Sequence, residues 1–158
     1  MDGHLRPASD AEIERLLAHP EEITRLLYGG GLDGRERVDL GRTWHAIHFG
    51  LTGSRLGGTP PLNFLVDEGT PVGNVDVGYG PARALTSERV RDLALALASI
   101  EPGQLRLDAA ALDAAAIYPG EWSSNGQAVQ SVAERYRDMR ALVLRAAEAG
   151  LGLLLYIN

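Results

Sequence analysis

The sequence predicts an α+β fold, a helix-rich single domain with a small sheet that spans residues 1–158. Three observations predict it. Apolar residues recur at helical spacing along several segments, the apolar run over 151–157 is typical of a buried strand, and no repeat or linker divides the chain. With 158 residues, 45% of them hydrophobic and 23% charged, the chain is long enough to bury one core.

Two short helices are predicted near the N-terminus. Ser9 and Glu12 form a capping box at the start of the first helix, and Pro20 suits the first position of the second. Glycines that begin at Gly29 end the second helix, and we predict an exposed polar loop over 29–39. The G-x-G-x-x-G pattern in this loop follows a helix rather than a strand, so it does not indicate a dinucleotide site.

The next predicted helix, over 40–52, is expected to be central in the fold. Its apolar stripe consists of four residues at helical spacing, Leu40, Trp44, Ile47 and Leu51. No charged residue lies between Trp44 and Ser54, and a helix without a charged face is usually covered on more than one side. We therefore expect His45 and His48 to be partly or wholly buried.

The remaining predicted elements follow from the same kinds of pattern. A glycine-rich loop is predicted over 53–61, followed by an apolar strand or helical turn over 62–66, extended structure over 72–77 and a turn over 78–81. Thr86 is predicted to begin a helix, and a further helix is predicted over 105–116. A second capping box of Ser124 and Gln127 begins a long helix that Gly150 ends, and a final strand follows over 153–157.

Composition excludes several kinds of chemistry. Cys is absent and all 15 Lys and Arg residues are Arg, so the chain has no disulfide, thiolate metal site, Cys nucleophile or catalytic Lys. The net charge of −6 has the wrong sign for a dedicated nucleic-acid binder. No apolar run approaches the ~20 residues that a membrane helix needs. We expect a cytoplasmic protein that binds neither nucleic acid nor a membrane.

One tight turn brings together an acid, a phenol and a guanidinium. Asp76, Tyr79 and Arg83 surround this turn, and its glycines let backbone N–H groups approach a ligand closely. Arg83 could then bind a carboxylate or phosphate through two N–H groups. In the alternative interpretation, Asp76 and Arg83 pair with each other and only hold the turn.

The two histidines of the central helix are the other candidates. His45 and His48 could share a metal if carboxylates such as Asp76 or Glu121 converged on them, but nothing in the spacing requires this, so we predict no metal and no cofactor. A buried imidazole could also act as a general base. Tyr118 and Trp122 either line the same pocket or cover the core.

Several blocks of the sequence, in the same order, resemble the YfbM-like family, a bacterial domain of unknown function. They are LGRTWHAIHF followed by LTG (40–53), PLNFL (61–65), DVGYGPAR (76–83), IYP with Trp122 (117–122) and LLYI (154–157). The loop over 35–37 departs from the family, and the segment over 3–6 matches it only loosely. The resemblance implies a single α+β domain and no established activity.

Three functions are compatible with these residues. The first is a non-catalytic binding module for a small anionic ligand or a protein partner, the second a hydrolase or transferase with a His base and Arg83 as anion clamp, and the third a buried polar network that only specifies the fold. We rank the binding module first. Its predicted pocket residues are Trp44, His45, His48, Asp76, Tyr79, Arg83, Tyr118 and Trp122.

Overall fold

The computed structural model describes residues 1–29 and 36–158. The strands of this part of the chain are β1 (Gly3–Ala8), β2 (Val38–Gly41), β3 (Thr70–Asp76), β4 (Pro81–Leu85) and β5 (Gly152–Ile157). Its α-helices are α1 (Asp10–Ala18), α2 (Glu22–Tyr28), α3 (Trp44–Thr52), α4 (Ser87–Ala98), α5 (Ala109–Ala114) and α6 (Ala128–Glu148). The strands form one sheet in the order β2-β1-β5-β4-β3, and every neighbouring pair is antiparallel. This confirms the predicted helix-rich α+β fold with a small sheet.

The central strand β5 is buried on both faces. Its register pairs Leu155 with Leu5 of β1 and with Arg83 of β4. Successive side chains alternate between the two sides of a strand, and over residues 153–156 of β5 both sides are apolar and less than a tenth exposed. The predicted buried strand at 153–157 is therefore confirmed.

Helices cover both faces of the sheet and enclose two apolar cores. Leu155 and Leu153 pack into the larger core with residues of α3, α4 and α6. Leu154 and Tyr156, on the opposite face, pack with residues of α1 and α2. Helices therefore lie on each face of the sheet, which is the middle layer of three.

Several predicted helix boundaries are confirmed. The amide of Glu12 donates to Ser9 Oγ at 3.2 Å and the amide of Ser9 donates to Glu12 Oε2 at 3.0 Å, so the capping box is present. Gly29 is the C-cap of α2. Thr86 lies at the N-cap of α4 without a side-chain hydrogen bond, and Asp10 accepts from the amide and hydroxyl of Ser87 instead.

Other boundary predictions were wrong. The predicted helix over 40–52 begins only at Trp44, because Leu40 belongs to β2, which pairs with β1. This strand also shortens the predicted loop over 29–39, of which 30–35 lie outside the described residues. Pro20 lies ahead of α2, whose N-cap is Glu21. Pairing with distant strands and packing against the core decide these boundaries more than local preference does.

The region between α4 and α6 is less helical than predicted. The predicted helix over 105–116 is reduced to α5, which begins after Asp108 caps the amide of Ala111 at 3.0 Å. Ser124 lies in a 3₁₀ turn over 122–124, and the N-cap of α6 is Gln127. The second capping box is therefore absent. The apolar segment over 62–66 forms hydrogen-bonded turns, as one of the two alternatives has it.

Candidate functional site

The first turn of α3 lies directly on the backbone of β1. A Cβ atom at Gly3 would come within 2.7 Å of Trp44 Cβ, a distance that real Cβ atoms do not show. Glycine at this position therefore lets the indole of Trp44 lie over the sheet. The contact fixes one wall of a cavity between α3 and the sheet.

This cavity lies where β1, β5 and β4 meet the turn that joins β3 to β4. It has a volume of about 50 Å³. The residues that line it include Gly3, Trp44, Leu65, Tyr79, Arg83 and Leu155. By the space that one buried water requires, the cavity can hold three or four waters, or a group of similar size.

Arg83 is the positive charge of the cavity. Its Nη1 donates to the carbonyls of Phe64 at 3.2 Å and Glu68 at 2.5 Å, and its Nη2 donates to the carbonyl of Leu65 at 2.6 Å. Burial lowers the pKa of the guanidinium, and the nearby carboxylates of Asp67 and Glu68 oppose this shift. Within the described part of the chain, no carboxylate lies within ion-pair distance of Arg83, so carbonyl dipoles are its direct partners.

Asp76 does not pair with Arg83. Its Oδ1 accepts from the backbone N–H of Gly78 at 2.8 Å and of Gly80 at 3.0 Å. Asp76 is exposed and holds the turn by itself. The interpretation in which an Asp76–Arg83 pair holds this turn is therefore wrong, and Arg83 is left for the cavity and the segment over 64–68.

Trp44 and Tyr79 add hydrogen-bonding groups to the cavity. Trp44 is 8% exposed, and its Nε1 has no acceptor among residues 1–29 and 36–158. Tyr79 is 65% exposed, and its backbone N–H donates to the carbonyl of Ile157 at 2.9 Å. The phenol therefore stands at the solvent side of the cavity, and the indole N–H is a buried donor without an acceptor.

His45 connects two loops through both ring nitrogens. The N–H of Tyr118 donates to Nδ1 at 3.1 Å, so the ring proton is on Nε2, which donates to the carbonyl of Arg55 at 2.8 Å. The ring stacks on Trp44 with centroids 4.9 Å apart. Burial lowers the pKa of His45. Because backbone groups occupy both nitrogens, His45 links the two loops and holds its ring against Trp44.

His48 is fully buried. Neither ring nitrogen has a hydrogen-bond partner of standard geometry among the described residues. The backbone of Gly57 lies near the ring and only weakly favours the protonated form, against the lowering of the His48 pKa by burial. Burial lowers the pKa of His48 to about 4, and His45 adds to the shift while Asp67 opposes it. The expectation that both histidines are buried is confirmed, and both are neutral at pH 7.

Tyr118 and Trp122 do not line the cavity. The hydroxyl of Tyr118 accepts from the ammonium of Met1 at 3.1 Å, and its ring centroid is 6.5 Å from that of Trp44. Trp122 is 4% exposed and its Nε1 donates to the carbonyl of Ile117 at 2.8 Å. Tyr118 thus supports the Trp44 wall from behind, and Trp122 is a core residue.

The structure brings together only part of the predicted pocket. Trp44, Tyr79 and Arg83 line the cavity. His45 and Tyr118 contact Trp44 from behind, and the remaining three predicted residues lie elsewhere: His48 in the core near Arg83, Asp76 on the exposed turn and Trp122 in the core. In the described part of the chain, no group of three or more His, Asp and Glu side chains is arranged to hold a metal ion.

Sequence reasoning missed the floor of the cavity. Gly3 belongs to β1, which was not predicted, and Leu155 was predicted only as a buried strand residue. The alternation of Gly3 and Leu5 with the polar His4 and Arg6 has the period of a strand and could have indicated β1. The charged and proline residues of this short segment hid the pattern.

No helix within residues 1–29 and 36–158 is both long and apolar enough to cross a bilayer.

Comparisons with known proteins agree with the resemblance seen in the sequence. The family model described as "Domain of unknown function (DUF1877)" matches residues 1–156. The crystal structure of YfbM from Escherichia coli, a protein of unknown function, has a TM-score of 0.72 and 22% identity, with 98% of each chain covered. No curated protein matches. The chain therefore belongs to the YfbM-like family, the domain of unknown function DUF1877.

Proposed function

We propose that this domain is a non-catalytic binding module that takes a small anionic ligand in the cavity between Trp44 and Arg83. One observation carries the proposal. The guanidinium of Arg83 is partly buried beside a cavity, and no carboxylate in the described residues lies within ion-pair distance of it. A buried charge is stabilised by a partner of opposite sign, which an anion in this cavity would supply.

The cavity also favours a small ligand over a protein partner. A volume of about 50 Å³ holds only a few atoms, so a partner segment could place no more than one small group in it. Electrostatic attraction of the chain as a whole does not help an anion, because the net charge is −6. Binding therefore depends on the local charge of Arg83 and on exclusion of water around it.

A His-based enzyme is less well supported. A general base must reach the proton that it abstracts. His48 is fully buried, and both ring nitrogens of His45 are occupied by backbone groups. Neither of these two imidazoles lines the cavity of Arg83; the histidine that does is His4, whose Nε2 donates to Asn158 Oδ1 at 2.9 Å.

A structural role for Arg83 is favoured by its three carbonyl partners. These bonds hold the segment over 64–68 against β4. Three of the five N–H groups of the guanidinium are used in this way, so the same side chain can hold the fold and still present two donors to a ligand. The two roles are compatible, and the experiment must separate them.

The test compares thermal unfolding of the wild type, Arg83→Lys and Arg89→Gln in sodium acetate, phosphate and chloride at equal ionic strength. Arg89→Gln is the matched control, because it also changes one Arg but at an exposed position of α4. A ligand at 100 times its Kd stabilises the native state by about 2.7 kcal/mol. We expect acetate or phosphate to raise Tm relative to chloride in the wild type and Arg89→Gln, and not in Arg83→Lys.

Arg83→Lys keeps the positive charge, so it should destabilise the native state less than a neutral residue would. The Tm of this variant in chloride is the reference for its change in Tm with acetate or phosphate. An equal Tm rise in all three proteins would show that the anion acts elsewhere. No rise with either anion in the wild type would refute the proposed function.

A further inference from the structure

Resting on the proposed function, we infer that the ligand of this cavity is a monoanionic carboxylate, bound by Arg83 and by the indole N–H of Trp44. Phosphate and sulfate are excluded by the same arrangement. The inference depends on which donors are left, on the charges around them and on the size of the space.

The first argument is the set of unused donors on Arg83. Its two Nη1 hydrogens and one Nη2 hydrogen bind the carbonyls of Phe64, Glu68 and Leu65. One N–H on Nε and one on Nη2 have no partner in the described chain. These nitrogens are neighbours on a planar group, and a pair of such N–H groups matches the two oxygens of a carboxylate.

The second argument is the local charge. Asp67 and Glu68 lie close enough to Arg83 to raise its pKa against the effect of burial. Their negative charges offset part of the guanidinium charge at the cavity. Both carboxylates repel an anion in the cavity, so a dianion such as phosphate at neutral pH is disfavoured more strongly than a monoanion.

The third argument is the indole of Trp44. Its Nε1 is buried and has no acceptor within the described residues, and an indole N–H can only donate. Trp44 and Gly3 both line the cavity, and Cδ1, the carbon bonded to Nε1, is 3.1 Å from the position of a Cβ on Gly3. A carboxylate oxygen accepts more than one hydrogen bond, so the same anion can satisfy this donor.

The fourth argument is size and lining. Leu65 and Leu155 line the cavity beside the polar groups, and its volume of about 50 Å³ fits a carboxylate with one or two carbons. A longer ligand would leave the cavity on the side of the exposed Tyr79. The apolar lining favours a carboxylate that is carried on a methylene over an inorganic oxyanion.

The experiment is a titration of ¹⁵N-labelled protein with sodium acetate and, separately, with sodium phosphate at equal ionic strength and pH 7.5. The chain has 2 Trp residues, so the spectrum holds two indole N–H signals. The indole N–H of Trp122 already donates to the carbonyl of Ile117 and is the internal control. Trp44→Phe assigns the other signal.

We expect acetate, and not phosphate, to shift the Trp44 signal while the Trp122 signal stays. Loss of one hydrogen bond to a charged ligand corresponds to about a tenfold or greater loss of affinity, so the acetate dependence of Tm should show at least about tenfold weaker binding to Trp44→Phe. Arg89→Gln should bind acetate like the wild type.

Two results would overturn the inference in different ways. If phosphate shifts the Trp44 signal at lower concentration than acetate, the ligand class is wrong and the proposed anion site stands. If acetate raises Tm through Arg83 but leaves the Trp44 signal unmoved, the indole is not a ligand donor and the inference fails alone. If neither anion moves this signal or raises Tm, the proposed function fails as well.

Discussion

Burial of His48 makes the stability of this domain depend on pH between about 4 and 6.5. The pKa of His48 is lowered from 6.5 to about 4 in the native state. Between these values the unfolded chain binds a proton that the native state does not, so the free energy of unfolding falls as the pH falls. Above pH 6.5 this loss is absent, and below about pH 4 it is complete.

The magnitude follows from the difference between the two pKa values. The lowered pKa corresponds to a loss of about 3 kcal/mol when the loss is complete. Between pH 7.5 and 4.5 most of the transition has taken place, and His48 alone should lower the free energy of unfolding by about 2–3 kcal/mol. This is a large part of the typical stability of a domain, about 5–15 kcal/mol.

Urea denaturation of the wild type, His48→Leu and His19→Gln at pH 7.5, 6.5, 5.5 and 4.5 measures this loss. Leucine fills the site of a ring whose nitrogens make no standard hydrogen bond to the described residues, and His19→Gln is the control because His19 is exposed. We expect His48→Leu to keep only a smaller pH dependence, part of it from His45, whose pKa is also lowered by burial. If His48→Leu loses as much stability as the wild type between pH 7.5 and 4.5, His48 does not stay neutral through burial.

Three further substitutions test contacts that hold the domain together. Asp10→Ala removes the acceptor of the Ser87 amide and hydroxyl and should lower the free energy of unfolding by about 1–2 kcal/mol in urea titrations at pH 7. Asp10→Asn is a milder comparison for this first site. Tyr136→Phe removes the 2.7 Å hydrogen bond to the Ile100 carbonyl and should lower the free energy of unfolding by about 1 kcal/mol. Gly3→Ala places a Cβ against the indole and should lower the free energy of unfolding by about 1–3 kcal/mol and change the tryptophan fluorescence. An unchanged free energy of unfolding in any of the three variants would show that the contact it removes or strains does not stabilise the domain.

Long and strongly patterned elements could be predicted from the sequence. Val132, Tyr136, Met139 and Val143 lie three or four residues apart and are all fully buried on one face of α6. The local pattern alone determines such a face. β5 was predicted for a similar reason, because a strand that is covered on both sides needs a continuous apolar run.

Short strands that depend on distant partners could not be predicted in the same way. β1 contains His4, Arg6 and Pro7, residues that do not favour a strand by themselves. It exists because β5 and β2 pair with it from opposite sides, and these partners are far away in the chain. The wrong assignment of Leu40 to a helix has the same origin.

The site was only partly predictable for a related reason. Of the three residues predicted around the turn, Tyr79 and Arg83 line the cavity, but residue types could not show that Asp76 caps its own turn instead. Likewise, the helical pattern placed Trp44 but could not reveal Gly3 beneath it, because that contact joins two elements that are not neighbours in sequence. Composition shows which groups are present, whereas tertiary contacts decide which of them are already satisfied.

The position of β5 has a consequence for synthesis on the ribosome. β5 follows every other strand in the sequence, yet it separates β1 from β4 in the sheet. Until residues 152–157 leave the exit tunnel, the nascent chain holds two disconnected ribbons with exposed apolar sides, and neither can close the sheet. Translation that stalls ahead of this segment therefore leaves the sheet open, and the fold is complete only once residues 152–157 can pair with β1 and β4.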